Sequence, residues 1–168
     1  MVILGQSKKE VVEDHTLQLV TFQLGKERYG INIMDVKQIN GIEDVRPIPN
    51  APVYVEGLFN LRGSIIPVIN LQKRFHFEKR ELTEEEKLLS GFIIININKM
   101  DIGIIIDKIL KVVTVDKRNI QPPPQIVSGI GSEYIHGVVN EKDGYLVILD
   151  TKRLFSRGEL QNIDLGKY

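Results

Sequence analysis

The stretch Leu19–Ile39 reads LVTFQLGKERYGINIMDVKQI, and it aligns position by position with FIIININKMDIGIIIDKILKV at Phe92–Val112. Each segment contains a strand pattern, a short polar turn, a Gly-Ile pair and two apolar residues three positions apart. A second match aligns Gly57–Phe75 with Gly137–Phe155, at a slightly larger shift along the chain. One insertion around TVDKRNIQPPP reconciles the two shifts. The matches therefore indicate a tandem duplication of one small unit.

The duplication predicts one domain built from two similar β units. The polar segment between them contains Thr83-Glu84-Glu85-Glu86, a capping-box pattern that favours a short helix. The predicted organisation is a flexible N-terminal tail at 1–14, a single domain at 15–158 and a C-terminal tail at 159–168, with repeat one at 15–80, a linker at 76–90 and repeat two at 88–158.

Composition points to β-structure. The chain has 24 Ile and 16 Val among its 168 residues, and β-branched side chains suit a pleated surface. Arg62-Gly63 and Asp143-Gly144 predict tight hairpin turns between apolar runs. Asn32 is a candidate cap for a short helix reaching Asn40, in which Val36 and Ile39 share a face. Short strands at hairpin spacing predict an all-β fold of small barrels.

Charge and cysteine content exclude several classes of function. The 22 basic side chains balance the 22 acidic ones, whereas binding along a phosphate backbone requires a positive surplus. The absence of Cys removes disulfides, thiol catalysis and thiolate metal sites. No apolar run approaches the ~20 residues of a membrane span, and the N-terminus lacks the order of a secretory signal. We expect a cytoplasmic protein that does not bind nucleic acid and does not insert into a membrane.

Signatures of catalysis are missing from the sequence. His15, His76 and His136 lie far apart, without the spacing of a zinc site. Gly129-Ile130-Gly131 lacks the rest of a dinucleotide-binding fingerprint, and no serine lies in a GxSxG motif. We expect no catalytic residue, no metal and no cofactor.

The notable features are apolar. Val36 and Ile39, with their second copies Ile109 and Val112, are either core residues or the lining of a groove that accepts an amphipathic helix. A further feature is the charged tip Asn60-Leu61-Arg62-Gly63, which is either a solvated turn or a loop held for a partner by the arginine fork.

One string in the sequence is specific enough to suggest a family. Residues 57–67 read GLFNLRGSIIP, and they follow FQLG at 22–25, Tyr29-Gly30-Ile31 and Ile48-Pro49. Gly103-Ile104 with Asp107, and YIHG at 134–137, complete the pattern. In order and spacing these motifs resemble the CheW family of chemotaxis coupling proteins over about residues 15–158.

The resemblance implies two interlocked five-stranded SH3-like barrels with short helices around a common apolar core. It also implies an adaptor without catalysis, which joins methyl-accepting chemotaxis receptors to the histidine kinase CheA in a membrane-associated array. The receptor's helical tip would lie in the groove between barrels, and one barrel would contact the kinase's regulatory domain. The chain alone would be a monomer, with arrays forming only with its partners.

Site residues carried over by the resemblance fall into two sets. The receptor-groove set is Ile33, Val36, Ile39, Ile109 and Val112. The coupling-loop set is Gly57, Asn60, Arg62, Gly63 and Gly103. One position departs from the pattern: Gln38 stands where some members have Glu, so Arg62 lacks a carboxylate partner there.

Two alternatives from other classes stay open at the sequence level. A small nucleic-acid-binding barrel would need clustered cations interleaved with exposed aromatics. An enzyme without a recognisable motif would need a deep pocket with converging polar groups.

Overall fold

Two five-stranded sheets, each curled into a barrel, make up most of the chain. The computed structural model describes residues 15–41, 45–77, 81–123, 126–127, 130–142 and 144–164. The strands are β1 (Thr16–Leu24), β2 (Glu27–Asn32), β3 (Val36–Gly41), β4 (Val55–Leu61), β5 (Ser64–Asn70), β6 (Gly91–Ile97), β7 (Met100–Ile106), β8 (Lys108–Asp116), β9 (Ile126–Val127), β10 (Ile130–Gly131), β11 (Ile135–Glu141) and β12 (Gly144–Leu149). The helices are α1 (Leu71–Arg74), α2 (Glu84–Leu89) and α3 (Arg157–Asp164).

Each barrel takes strands from both repeats. Barrel 1 has the strand order β11-β12-β2-β1-β8, and barrel 2 has the order β3-β6-β7-β5-β4. The two orders are the same once each strand is replaced by its repeat equivalent. Within every barrel a hairpin from one repeat lies between strands of the other, and parallel pairs join β12 to β2 and β5 to β7. The predicted interlocking of two barrels is confirmed.

Equivalent strand pairs in the two repeats have the same register. Leu19 lies opposite Asn32 in the β1–β2 pair, and their repeat equivalents, Phe92 and Ile105, lie opposite each other in the β6–β7 pair. The β4–β5 and β11–β12 hairpins also share a register between equivalent residues, and each has an irregularity near its start. This agreement confirms the tandem duplication.

Three apolar clusters hold the fold together. A large shared core lies between the barrels and contains residues of both repeats, among them Phe22, Tyr29, Ile95 and Ile104. The inside of barrel 2 holds Phe59, Ile66, Val68, Phe92 and Ile94. The inside of barrel 1 holds Leu19, Val139, Leu146 and Ile148. Burial of both faces of the strands explains why they are so rich in isoleucine and valine.

Two elements differ from the sequence prediction. The helix expected from Asn32 to Asn40 is a single 3-10 turn, Ile33–Asp35, capped by the Asn32 side chain, which accepts from the Met34 N–H at 3.0 Å. From Val36 onward the chain is strand β3, because its backbone pairs with β6. The spacing of three that looked helical is produced by a bulge in that strand.

The second difference is at the C-terminal end. The sequence predicts a tail at 159–168, but helix α3 packs its Leu160 and Ile163 side chains into the shared core. The folded part therefore continues to Asp164. The predicted N-terminal tail at 1–14 lies outside the described residues.

The polar segment between the repeats forms helix α2. Its capping box is complete, since the Thr83 hydroxyl accepts from the Glu86 N–H at 3.1 Å and the Glu86 carboxylate accepts from the Thr83 N–H at 3.2 Å. This confirms the predicted helix start. Among the described helices none is long and apolar enough to cross a membrane.

Candidate functional site

Two bulged strands, β3 and β8, border the shared core. Each stands at an end of its barrel's strand order. In β3 the bulge falls between Val36 and Gln38, so that Val36 lies opposite Ile95 and Ile39 lies opposite Ile93. Opposed residues in a strand pair point to the same side of the sheet. Because Ile93 and Ile95 belong to the shared core, Val36 and Ile39 both face the core side.

Strand β8 repeats this arrangement. Ile109 lies opposite Phe22 and Val112 opposite Val20, with a bulge between them. The Thr21 side chain supports the bulge, because its hydroxyl accepts from the Lys111 N–H at 3.1 Å and donates to the Lys111 carbonyl. The extra residue in β8 therefore does not leave the Lys111 backbone groups unpaired.

Exposure separates the predicted groove residues into two classes. Ile33, Val36 and Ile109 are half-buried and pack against the shared core. Ile39 and Val112 are 45% and 52% exposed. The structure thus places all five beside the shared core, with Ile39 and Val112 at its solvent edge. We call the strip formed by these five residues the groove border. Ile33, Val36 and Ile109 thus resemble core residues, whereas Ile39 and Val112 are accessible to a partner.

The charged tip is a two-residue hairpin turn. Arg62 and Gly63 both have positive φ, +52° and +90°, which is the backbone of a type I′ turn. The Asn60 side chain accepts from the Gly63 N–H at 2.8 Å and fixes the turn. Arg62 is exposed, and its side chain makes no hydrogen bond or ion pair with any described residue. Gln38 lies on β3, at the other end of barrel 2's strand order from β4.

Gly57 and Gly103 lie in the barrel wall, although the resemblance groups them with the coupling loop. They flank Val68 in one row across β4, β5 and β7. A side chain at Gly57 would place its Cβ 2.1 Å from the Arg46 carbonyl oxygen, and one at Gly103 would press on the Phe92 ring at 3.2 Å. Both glycines are needed for close packing, and Gly57 also anchors the segment that crosses β4.

Asp107 has a structural role that sequence reasoning did not assign. Its buried carboxylate accepts from the Gly25 N–H at 2.9 Å and from the Gln72 side chain at 2.6 Å. Its own N–H donates to the Gln23 carbonyl at 3.0 Å. It therefore ties the β1–β2 turn and helix α1 to the start of β8. Its place in the motif pattern was the only sequence signal.

Arg74 and Glu159 join the C-terminal helix to the first repeat. The Arg74 guanidinium donates to the Glu159 carboxylate at 2.9 Å and lies 5.3 to 5.8 Å from the ring centres of Tyr54, Tyr134 and Phe155. The Tyr54 hydroxyl also donates to Glu159, at 3.1 Å. Cation–π contacts of this kind add to the ion pair because the group is partly desolvated.

The local environment shifts the pKa values of two carboxyl groups and one phenol group. Burial raises the pKa of Asp101, but hydrogen bonds from Lys37 and Asn96 outweigh it and hold the pKa below its ordinary value. Hydrogen bonds from Arg118 lower the pKa of exposed Asp116 to about 2. Burial raises the pKa of Tyr29, helped by the nearby charge of Glu27. None of these groups belongs to the groove border.

The three histidines do not come together. His15 precedes β1, His76 follows α1 and His136 lies on β11, and all three are exposed. Across the described ranges, no three His, Cys, Asp or Glu side chains come together as ligands for a metal ion. The five side chains of the groove border are all apolar, so they offer apolar contact.

Comparison with known proteins agrees with this geometry. The family model of the CheW-like domain matches residues 18–159. This chain belongs to the CheW family. It is 55% identical over 152 residues to the chemotaxis protein CheW of Treponema pallidum, covering 90% of this chain and 89% of that protein. It is 31% identical over 147 residues to CheW of Klebsiella aerogenes, covering 88% and 86%.

A solved CheW structure has the same fold. The scaffolding protein TtCheW of Thermoanaerobacter tengcongensis matches with a TM-score of 0.76 and 34% identity, covering 85% of this chain and 90% of that one. The resemblance seen in the motifs is thereby confirmed. Membership in the CheW family makes this chain a coupling or scaffold protein of chemotaxis.

Proposed function

We propose that this CheW protein is a non-catalytic adaptor that binds chemoreceptors and the histidine kinase CheA at the same time, in receptor arrays on the cytoplasmic side of the membrane. The receptor's helical tip binds at the groove border, and the kinase's regulatory domain binds one barrel. The signal is then a coupling free energy between the two binding events, typically about 1–3 kcal/mol.

The groove border carries this proposal. Its exposed members, Ile39 and Val112, occupy equivalent positions in the two repeats and continue the buried surface of the shared core into solvent. An amphipathic helix recognises a surface of this kind through apolar side chains on one of its faces. Modest affinity at such a small border suits an array, where many linked contacts add avidity.

The hairpin tip supports a second contact on barrel 2. Arg62 is held by a rigid turn, exposed, and free of ion pairs to the described residues. An arginine in this state can present its fork to a carboxylate of a partner without first breaking an internal bond. Kinase binding through this tip does not depend on Gln38.

The experiment is a pull-down and titration with a receptor cytoplasmic fragment and with the kinase. Val112→Asp should weaken receptor binding at least about tenfold, because a charge would be buried against apolar side chains. Ile39→Asp should act in the same direction. Val53→Asp is the matched control, since Val53 is an exposed valine outside the groove border. Circular dichroism checks that each variant is folded.

Kinase binding is tested separately. Arg62→Ala should weaken binding to the kinase and leave receptor binding unchanged. Lys142→Ala, at the equivalent hairpin of barrel 1, is the control. Receptor binding that survives Val112→Asp and Ile39→Asp in folded protein would refute the groove assignment. An Arg62→Ala protein that binds the kinase as wild type does would refute the role of the tip.

A further inference from the structure

The two barrels differ inside although they share one topology. Barrel 1 has a cavity of about 370 Å³ that is open to solvent on one side and is lined by residues from all five of its strands. This volume falls within the range of small-molecule sites. The residues around it are Thr21, Arg28, Lys108, Ile109, Leu110, Lys111, Val113, Glu141 and Leu146.

Smaller side chains fill the inside of barrel 1. The interior of barrel 2 contains Phe59 and Phe92, whose rings meet edge to face with their centres 4.9 Å apart. The positions equivalent to these two are Val139 and Leu19 in barrel 1. Two aliphatic residues thus stand in barrel 1 where barrel 2 has an aromatic pair.

Positive charge surrounds the cavity. Arg28 lies 3.8 Å from Glu141, a long ion pair. Lys108 is half-buried and Lys111 is exposed, and neither forms an ion pair with a described residue. Two cations at the mouth are therefore not neutralised by the residues that line it.

The charges at the equivalent positions of barrel 2 are reversed or absent. Asp101 replaces Arg28, Asp35 replaces Lys108, and the neutral Gln38 replaces Lys111. The cationic mouth is therefore not a requirement of the fold. Barrel 2 has a pocket at a different place, of about 660 Å³ beside Phe59, and Arg46 is the charged residue that lines it.

We propose that barrel 1 binds a small amphiphilic carboxylate, with its hydrocarbon chain in the cavity and its carboxylate at Lys108 and Lys111. Val113, Leu146 and the Thr21 methyl group would cover the chain. The ammonium groups would pair with the anion at the mouth, and half-buried Lys108 is screened by salt less than exposed Lys111. The cavity shares Ile109 with the groove border, but Lys108, Lys111 and Val113, which the test changes, lie outside the groove border and the hairpin tip.

The test is a titration of the full chain with sodium octanoate, followed by two-dimensional NMR of the backbone amides. We expect saturable shifts at Thr21, Val113 and Leu146. Octyltrimethylammonium, which has the same chain and the opposite charge, should bind much more weakly. No saturable shift, or equal binding of the two amphiphiles, would overturn the proposal.

Variants locate the site. The double variant Lys108→Gln with Lys111→Gln should weaken octanoate binding about threefold to tenfold. Val113→Phe should abolish binding by filling the cavity. Lys37→Gln, which removes a cation from the equivalent strand of barrel 2, should leave it unchanged. Because Val113→Phe could unfold the protein, the lysine double variant decides in that case, and wild-type affinity there would refute the site.

Discussion

At the scale of single residues, Gly57 shows how one missing side chain controls a barrel. Alanine at this position would bring its Cβ to 2.1 Å from the Arg46 carbonyl oxygen, which belongs to a backbone bridge between Arg46 and Leu58. We expect Gly57→Ala to destabilise the protein by about 2–4 kcal/mol, because backbone atoms must shift. Urea unfolding followed by circular dichroism measures the loss.

The control for this change is another glycine in a strand. Gly41 has nothing within 4 Å of an added Cβ. Gly41→Ala should therefore be neutral, or stabilising by up to about 1 kcal/mol through the unfolded chain. Equal unfolding midpoints for the two alanine variants would show that the close approach at Gly57 does not matter.

Tyr29 provides a pH prediction at the same scale. Its ring is fully buried, and its hydroxyl has no hydrogen-bond partner within the described part of the chain. Because its pKa is raised in the folded state, stability is retained below the unfolded tyrosine pKa of about 10 and falls as pH rises above it. Tyr29→Phe should be neutral or stabilising at pH 7, since it removes an unpaired buried hydroxyl.

The two proteins should diverge in alkali. The stability of wild type relative to Tyr29→Phe should fall by up to about 1.4 kcal/mol per pH unit above pH 10. Urea midpoints measured from pH 7 to 11 give this difference directly, and other alkaline groups cancel because both proteins share them. A difference that does not change with pH would mean that Tyr29 ionises without unfolding.

At the scale of elements, the bulge in β8 depends on one hydroxyl. Thr21→Val keeps the shape of the side chain but leaves the Lys111 N–H and carbonyl without their shared partner. We expect a loss of about 1–3 kcal/mol and faster hydrogen exchange at the Lys111 amide. Thr114→Val, at an exposed position of the same strand, should change neither. Unaltered exchange at Lys111 in Thr21→Val would contradict this account.

Sequence patterns predicted the features that depend on residues close together in the chain. The hairpin turn at Arg62-Gly63 and the capping box at Thr83 follow from short-range chemistry, and the structure shows both. The bulge in β3 was missed because one extra residue in a strand gives the same spacing of three as a helix. Helix α3 was missed because its docking depends on the distant residues Arg74 and Tyr54.

The periodicity of apolar residues does not predict which strands pair with each other. Alternating apolar residues mark β2 and β5 as strands, but they do not state that β2 pairs with β12 and β5 with β7. The family resemblance supplied the interlocking, and the registers then confirmed it. For the site, the same resemblance indicated the groove border. The exposure of Ile39 and Val112 depends on the three-dimensional fold and could not be predicted from the sequence.

At the scale of the whole molecule, neither repeat has a complete barrel of its own. Four strand pairings cross between repeats: β1 with β8, β2 with β12, β3 with β6, and β5 with β7. Without them each repeat keeps two hairpins and an unpaired strand, and repeat two also keeps the short β9–β10 pair. Two-stranded hairpins are marginally stable in water at best. The shared core, which needs side chains from both repeats, would also be lost.

Cutting the chain between residues 80 and 81 should therefore give two fragments, 15–80 and 81–164, that are unfolded alone and fold when mixed. Circular dichroism should show a cooperative gain of β-structure on mixing, and size-exclusion chromatography should show a one-to-one complex. The control is fragment 15–80 alone at the total concentration of the mixture. It should give no folded species, because β8 and β12 are absent. A cooperatively folded 15–80 fragment would show that the interlocking is a consequence of folding and not a condition for it.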